Sequence, residues 1–352
     1  MRSAPGRTTL VNTSYRMQRV TGQQRYATEI AQRLLARDGY EEVTPVGWFS
    51  RSALRVWLWV FTALEARARG RLLVSMTARA PFLANRQVLV VHDLFVLTNP
   101  EWFSRKYVLS HAGLLRIQLK RAIAVVAVSQ PVADQVRPMF PGPVVVAPNA
   151  PSDVFFQAAP TDSDALAARG LIDDGYLLAV GSMDPRKNLP LLARAYGAMD
   201  ATERAALPLV IVGGGSAVFR DERIAWPSEV IDAGYVTDDE LRGLYAGARA
   251  VVFPSLAEGF GLPLVEAAAA GSRALVVSDI PVFRWVCGDS ATYFDPASVS
   301  DVTAALRRAA ANPLPIAIDL TRFDWDTSAD AIADLCGRLS LNNAAAEGAF
   351  HA

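Results

Sequence analysis

The amino-acid sequence predicts an α/β protein made of two doubly wound parallel sheets, and three features carry that prediction. Short apolar runs bounded by turns alternate with helical patterns along all 352 residues. The runs are nearly continuous Val, Ile and Leu rather than alternating in and out, which is the pattern of parallel strands covered on both faces. The same strand–helix grammar is written twice, on either side of a polar, Ala-rich stretch that contains Pro151 and Pro160.

Strands are expected at 88–91, 124–128 and 144–147 in the first half, and at 176–180, 209–212, 250–253 and 274–277 in the second. Helical periodicity covers 25–37, 189–199, 238–246, 301–311 and 326–339. The expected domains are 1–150 and 175–325, joined by a linker over 151–174 and followed by a helix over 326–340 and a disordered tail over 341–352. Two such domains would face each other across a cleft. In open α/β sheets ligands bind outside the carboxyl ends of the strands, so the residues that follow the strand runs are the candidates for function.

Composition narrows the classes. The chain is 51% hydrophobic and 20% charged, with 35 basic against 35 acidic residues. Without a basic footprint, no nucleic-acid partner is expected, and an anionic ligand must be held by local geometry. Cys287 and Cys336 have neither metal-type spacing nor a disulfide framework, which fits a reducing cytosol. Residues 1–10 contain no apolar core of a secretory signal, and the apolar stretch 56–64 is about half of a membrane span. The expected localisation is cytoplasmic, at most peripheral at the inner membrane face. Segment 51–71 mixes Trp57, Trp59 and Phe61 with Arg55, Arg67 and Arg69. It reads as a core-packed helix with a charged outer face; a membrane-facing helix is the alternative.

The strongest site signal is Phe253-Pro-Ser-Leu-Ala-Glu258-Gly-Phe-Gly-Leu-Pro-Leu-Val-Glu266. A strand ends at Phe253, a loop with Gly259, Phe260 and Gly261 follows, Pro263 opens a helix, and Gly271 caps it. Amides of Gly261, Leu262 and Leu264 are expected without helical partners, forming with the helix dipole a main-chain anion site. Glu266, one turn in, suits ribose hydroxyls, while Glu258 faces a sugar or its leaving phosphate. A second site follows the strand at 176–180: Gly181-Ser-Met-Asp-Pro-Arg186-Lys187-Asn188. Two adjacent cations can clamp a diphosphate. At an effective dielectric of about 20 each close charge pair gives on the order of 4 kcal/mol, against about 1 kcal/mol from a surface helix dipole, so the cations dominate. In the first half, His92 and Asp93 follow a strand and Gly22 precedes a helix. His92 suits a donor sugar or an acceptor hydroxyl, and Gly22 permits close backbone approach to phosphates.

These residues, in this order, resemble glycosyltransferase family 4. The Glu258-to-Glu266 spacing is similar to that family's Glu-x7-Glu motif, and Ala179–Asn188 to its phosphate-clamp segment. Thr21–Tyr26 resembles the amino-terminal glycine loop, and Val91–Leu94 with Asn99–Ser104 the cleft-histidine region. The resemblance covers about 20–338. It implies the GT-B fold, two Rossmann-like domains, and sugar transfer with retention from a nucleotide-diphosphate sugar to a saccharide or lipid-linked acceptor, in polysaccharide assembly. It also implies no cofactor and no metal, and a last helix returning to the first domain. Arg186 and Lys187 would hold the diphosphate, Glu258 the sugar, Glu266 the ribose, and His92 the reacting centre. The sequence departs from the family at Phe283-Arg-Trp-Val286, at 1–10, a poor match to the usual opening strand, and at Asn149-Ala-Pro151.

Other readings are weaker. A nucleotide-sugar epimerase would consume donor without acceptor, and a non-catalytic sugar-nucleotide-binding protein would release no nucleotide. A dinucleotide fingerprint at Val212-Gly-Gly-Gly215 lacks its third glycine, where Val218 stands. The acid pair Asp162 and Asp164 lies in the linker and reads as solvated charge.

Overall fold

The computed structural model describes residues 8–18, 21–157, 166, 169–182, 184–213 and 224–350. Asp162, Asp164, Gly214, Gly215 and Val218 lie outside the described residues, as does most of 158–168. The chain divides into two compact units. One holds the residues up to Asn149 together with those from Phe323 onward; the other is Ala150–Arg322.

The first unit is built on a six-stranded sheet in the order β2-β1-β3-β4-β5-β6. Its strands are β1 (Thr9–Asn12), β2 (Tyr40–Val43), β3 (Leu73–Ser75), β4 (Gln87–Val91), β5 (Ala124–Ala127) and β6 (Val144–Val146). All pairings are parallel. The poor opening match corrects to a strand: β1 is fully buried between β2 and β3. Four residues are too few to show periodicity, and Tyr40-Glu-Glu-Val43, on the sheet edge, carries two charges. The chain runs from β1 to β2 on one side and returns to β3 on the other, so the topological switch lies between β1 and β3.

Helices cover the sheet: α1 (Gly22–Leu35), α2 (Ala53–Trp59), α3 (Arg105–Arg121) and α4 (Gln130–Val136). Helix α1 starts three residues before the expected 25. Thr21 and Gln24 close a reciprocal capping box there, a stronger start signal than the apolar stripe. Helix α2 runs on through a π-helical turn, Val60–Leu64, to Glu65–Arg67. Trp59, Val60 and Leu64 pack with Leu10, Val43 and Leu73, so this segment is core-packed. Its outer face is not only charged, because Leu54 and Leu58 are exposed as well.

The second unit repeats the plan with β7 (Leu177–Val180), β8 (Leu209–Val212), β9 (Val230–Gly234), β10 (Ala250–Phe253), β11 (Leu275–Ser278) and β12 (Thr292–Phe294). The order is β12-β11-β10-β7-β8-β9, again all parallel. Strand β8 lies on one side of β7 and β10 on the other, which puts this unit's switch point between β7 and β10. Its helices are α5 (Leu189–Gly197), α6 (Asp238–Gly247), α7 (Leu262–Ala269), α8 (Pro281–Cys287) and α9 (Val299–Ala311). Leu177, Ala179, Leu192, Tyr196, Ile211, Val252, Val276 and Leu306 form the heart of the core. Each fully buried side chain of this size stabilises the fold by roughly 1.5–3 kcal/mol.

The last helix, α10 (Trp325–Phe350), belongs to the first unit and runs past the expected end at 340. It is fastened to α1 by an ion pair between Arg33 and Asp326, 2.7 Å. Ser328 Oγ donates to the carbonyl of Pro148 at 2.8 Å. Among the described residues no helix is long and apolar enough to cross a membrane.

Candidate active site

The two motifs of the second unit meet at its switch point. Strands β7 and β10 are hydrogen-bonded neighbours, so the loops that leave their carboxyl ends are adjacent by construction. Leu256 N donates to the carbonyl of Arg186 at 2.7 Å, and Lys187 Nζ donates to Glu258 Oε1 at 2.6 Å. Ser255 Oγ donates to the same carboxylate oxygen at 2.8 Å. Glu258 therefore does not stand alone before the glycines; it is the acidic half of a partly buried pair with side chains 19% and 13% exposed.

The basic pair is anchored differently from a simple clamp. Arg186 Nε donates to Asp184 Oδ2 at 2.8 Å, its Nη2 bonds the same oxygen, and its backbone amide donates to Asp184 Oδ1 at 2.9 Å. Asp184 is buried and caps a short 3-10 turn that opens with Pro185. Both cations are thus engaged by acids in this structure, Arg186 by Asp184 and Lys187 by Glu258. A lysine ammonium carries three donors and Glu258 uses one, so a phosphate can share Lys187 without breaking the pair. Sequence reasoning did not single out Asp184 or Ser255. The legible signal for Asp184 was an acid directly before a proline at a helical start.

Glycines set the approach. Gly181 donates its amide to the carbonyl of Val212 at 2.9 Å, and a Cβ placed on it would meet Lys187 Cγ at 3.3 Å. It lies beneath the Lys187 stem. Gly261 takes φ 86°, a left-handed conformation that glycine adopts without penalty, and caps α7. One expectation is corrected here: the Leu264 amide is satisfied, donating to the Gly261 carbonyl at 2.9 Å. The amides of Gly261 and Leu262, at the head of α7, have no acceptor among the described residues. Gly259 belongs to the same loop. The Phe260 ring is buried, edge-on to Trp285 at 6.1 Å, so only its backbone can face a ligand. Glu266 is buried one turn inside α7.

Electrostatics at Glu258 have a definite sign. Burial raises its carboxyl, but the charges of Lys187 and Arg186, with the hydrogen bonds from Lys187 and Ser255, outweigh it and hold the group below its ordinary value. A carboxylate depressed in the fold stabilises above its unfolded value, about 4.3, and that contribution is lost as pH falls through its folded value. The stability gap between the wild type and Glu258→Gln should be flat from neutral pH down to about 5 and should narrow below about 4. Melting temperatures of the two proteins across this range check it.

In the first unit, the residues after β4 meet the head of α1. Gln23 Nε2 donates to Asp93 Oδ2 at 3.4 Å, and Asp93 Oδ1 accepts from the Phe95 amide at 3.2 Å. Gly22 is the first residue of α1, beside Gln23. His92 is half-buried, edge-on to Tyr26 with ring centroids 5.1 Å apart, and its Nε2 bonds the carbonyl of Met76 at 2.9 Å. A carbonyl only accepts, so Nε2 carries the proton and Nδ1 is the basic atom. Burial lowers the imidazole to about 4, against the smaller upward pull of the Met76 carbonyl. An NMR titration should place the His92 midpoint near pH 4 rather than at about 6.5, the ordinary value. A midpoint above 6 would contradict this environment. Among the described residues no group of three or more His, Cys, Asp or Glu side chains gathers as a metal ligand set.

Residues 174–312 match the family model described as Glycosyl transferases group 1. The O-antigen chain mannosyltransferase B of Escherichia coli is 31% identical over 236 residues, 64% of this chain and 61% of that protein. The chain thus spans about three fifths of the length of this relative. The O-antigen chain mannosyltransferase RfbU of Salmonella typhimurium is 27% identical over 299 residues, 80% of this chain and 76% of that protein. In fold, the chain is similar to Anabaena Alr3699/HepE, solved in complex with UDP-glucose. The TM-score is 0.69 at 18% identity, covering 94% of this chain and 99% of that one. The chain has the GT-B fold of two Rossmann-like α/β units.

Proposed function

We propose that this chain is a retaining, metal-independent glycosyltransferase that moves a sugar from a nucleotide-diphosphate donor to a hydroxyl of a saccharide or lipid-linked acceptor. One observation carries the reading: the loops after β7 and β10 converge at the switch point of the second unit, with Lys187 and Glu258 paired at 2.6 Å. Lys187, Arg186 and the Gly261 and Leu262 amides hold the diphosphate; Glu266 holds the ribose, and Glu258 the sugar. His92 and Asp93 serve the acceptor side. The named activity of the bacterial relatives makes a mannosyl donor the first candidate and cell-surface polysaccharide the first product class. The two buried, unpaired cysteines support a cytoplasmic placement.

Chemistry in this site is positioning and electrostatics. The C1–O bond to the diphosphate breaks first, and the charge growing on the leaving oxygen is met by Lys187, Arg186 and the amides. The acceptor oxygen bonds C1 on the same face, and its proton passes to the departing phosphate. Glu258, held ionised by its cations, stabilises the positive charge that develops on the sugar.

The test is release of nucleoside diphosphate from a panel of nucleotide-sugars, with and without saccharide acceptors. Acceptor-dependent release with an α-linked product from an α-linked donor supports the proposal. Donor consumption without acceptor and with an inverted sugar hydroxyl indicates an epimerase. Tight donor binding with no release indicates a binding protein.

A further inference from the structure

Two loops of the first unit are stapled together at the carboxyl edge of its sheet. Asn12, the last residue of β1, donates Nδ2 to the carbonyl of Arg79 at 2.7 Å, while its Oδ1 accepts from the Ser14 amide at 3.1 Å. Arg79 follows β3 by four residues, beside the switch between β1 and β3. It is 9% exposed, and its Nε and Nη1 are buried with no hydrogen-bond partner. Among the described residues no carboxylate stands within ion-pair distance of it. Its neighbour is an aromatic face: the guanidinium carbon lies 5.9 Å from the centre of the Trp57 ring.

Arg242, equally buried, shows what the fold ordinarily does with such a group. It pairs with Asp239 at 3.1 Å and donates to the carbonyl of Val154 at 3.0 Å. A buried guanidinium without a counter-ion is unfavourable, and a ring face offsets only part of the lost hydration. Ser14, on the other stapled loop, also has a buried hydroxyl without a partner. The His92 imidazole, which follows β4, bonds the carbonyl of Met76, three residues before Arg79, so the loop that carries the unpaired cation also holds the candidate acceptor-side histidine.

We propose that Arg79 is the anion-binding residue of an acceptor site on the first unit. It receives a phosphate or carboxylate carried by the acceptor, with Trp57 as the wall beside it. The planar fork of a guanidinium matches either oxyanion, and both would supply the missing counter-charge. The word acceptor rests on the transferase reading above; the anion site rests on Arg79 alone.

Calorimetric titration of the full chain tests it, with methyl phosphate and glucuronate as probes and nucleoside diphosphate in excess to fill the second unit's site. At least one probe should bind the wild type. Arg79→Met should weaken that binding about tenfold or more, and Arg79→Lys, which keeps the charge but loses the fork, should fall between. Methyl phosphate alone would mark a phosphorylated acceptor, glucuronate alone an acidic sugar. Without ligand, Arg79→Met should melt at or above the wild-type temperature, since an unpaired buried charge has been removed. Its affinity for nucleoside diphosphate should be unchanged. Failure of both probes to bind, equal binding by Arg79→Met, or a lower melting temperature of that variant would overturn the proposal. Arg79-dependent binding in a protein that releases no nucleoside diphosphate from any donor would sink the transferase reading and leave the anion site standing.

Discussion

Replacing Lys187 by alanine should lower turnover by about two orders of magnitude or more, the loss typical when a preorganised charge is removed from the place where leaving-group charge grows. The same substitution leaves the Glu258 carboxylate partly buried with Ser255 as its one side-chain donor among the described residues. Because the pair is neither fully buried nor on the surface, the stability cost should be about 1–3 kcal/mol. For a protein of this size that is a fall in melting temperature of roughly 2–4 °C for each kcal/mol. Two causes of lost activity, unfolding and missing charge, can be separated by the double variant Lys187→Met with Glu258→Gln. Removing both charges should return most of the stability and none of the turnover. Single-turnover kinetics beside thermal melts read the two effects independently. If the double variant recovered activity along with stability, Lys187 would be a structural lysine.

Gly213→Ala should have the largest effect on the fold of the site. Gly213 takes φ 139°, and a Cβ there would lie 2.0 Å from the carbonyl oxygen of Gly181 and 2.7 Å from its carbonyl carbon. The obstacle is backbone, so no side-chain rotation relieves it. The loops after β7 and β8 would have to part, carrying Gly181 away from Lys187, whose stem would lie 3.3 Å from a Cβ placed on Gly181. We expect a loss of about 2–4 kcal/mol, the sum of an unfavourable backbone conformation and a forced displacement. Donor affinity should fall together with stability, because the displaced loop is the one that carries Arg186 and Lys187. Gly181→Ala is the milder control: its Cβ would meet only the flexible Lys187 stem, at 3.3 Å. Equal melting temperatures for Gly213→Ala and the wild type would contradict the close approach of these loops.

The site of the second unit was legible because its signals are local. A strand end, a glycine loop, a proline in the first turn and a glycine cap fall within Phe253–Gly271, and each has a backbone reason visible in the sequence. The partnership of Lys187 with Glu258, 71 positions apart, was not legible. It follows from β7 and β10 being neighbours, and strand order is a tertiary fact that no local pattern encodes. Asp184 and Ser255 were missed for a related reason, since each acts by holding another functional side chain. In the first unit, β1, β2 and β3 escaped notice because β1 and β3 are only four and three residues long and β2 carries Glu41 and Glu42 on an edge. Arg79 gave no sequence signal at all. Its meaning comes from burial without a partner, and only packing reveals that.

The measurement that bears most directly on the account is a crystal structure of the full chain with a nucleoside diphosphate bound. The diphosphate should lie in the second unit, its oxygens within hydrogen-bonding distance of Lys187 Nζ and of the Gly261 and Leu262 amides, with Glu266 on the ribose. A nucleotide seated elsewhere, with Lys187 still turned wholly to Glu258, would contradict it.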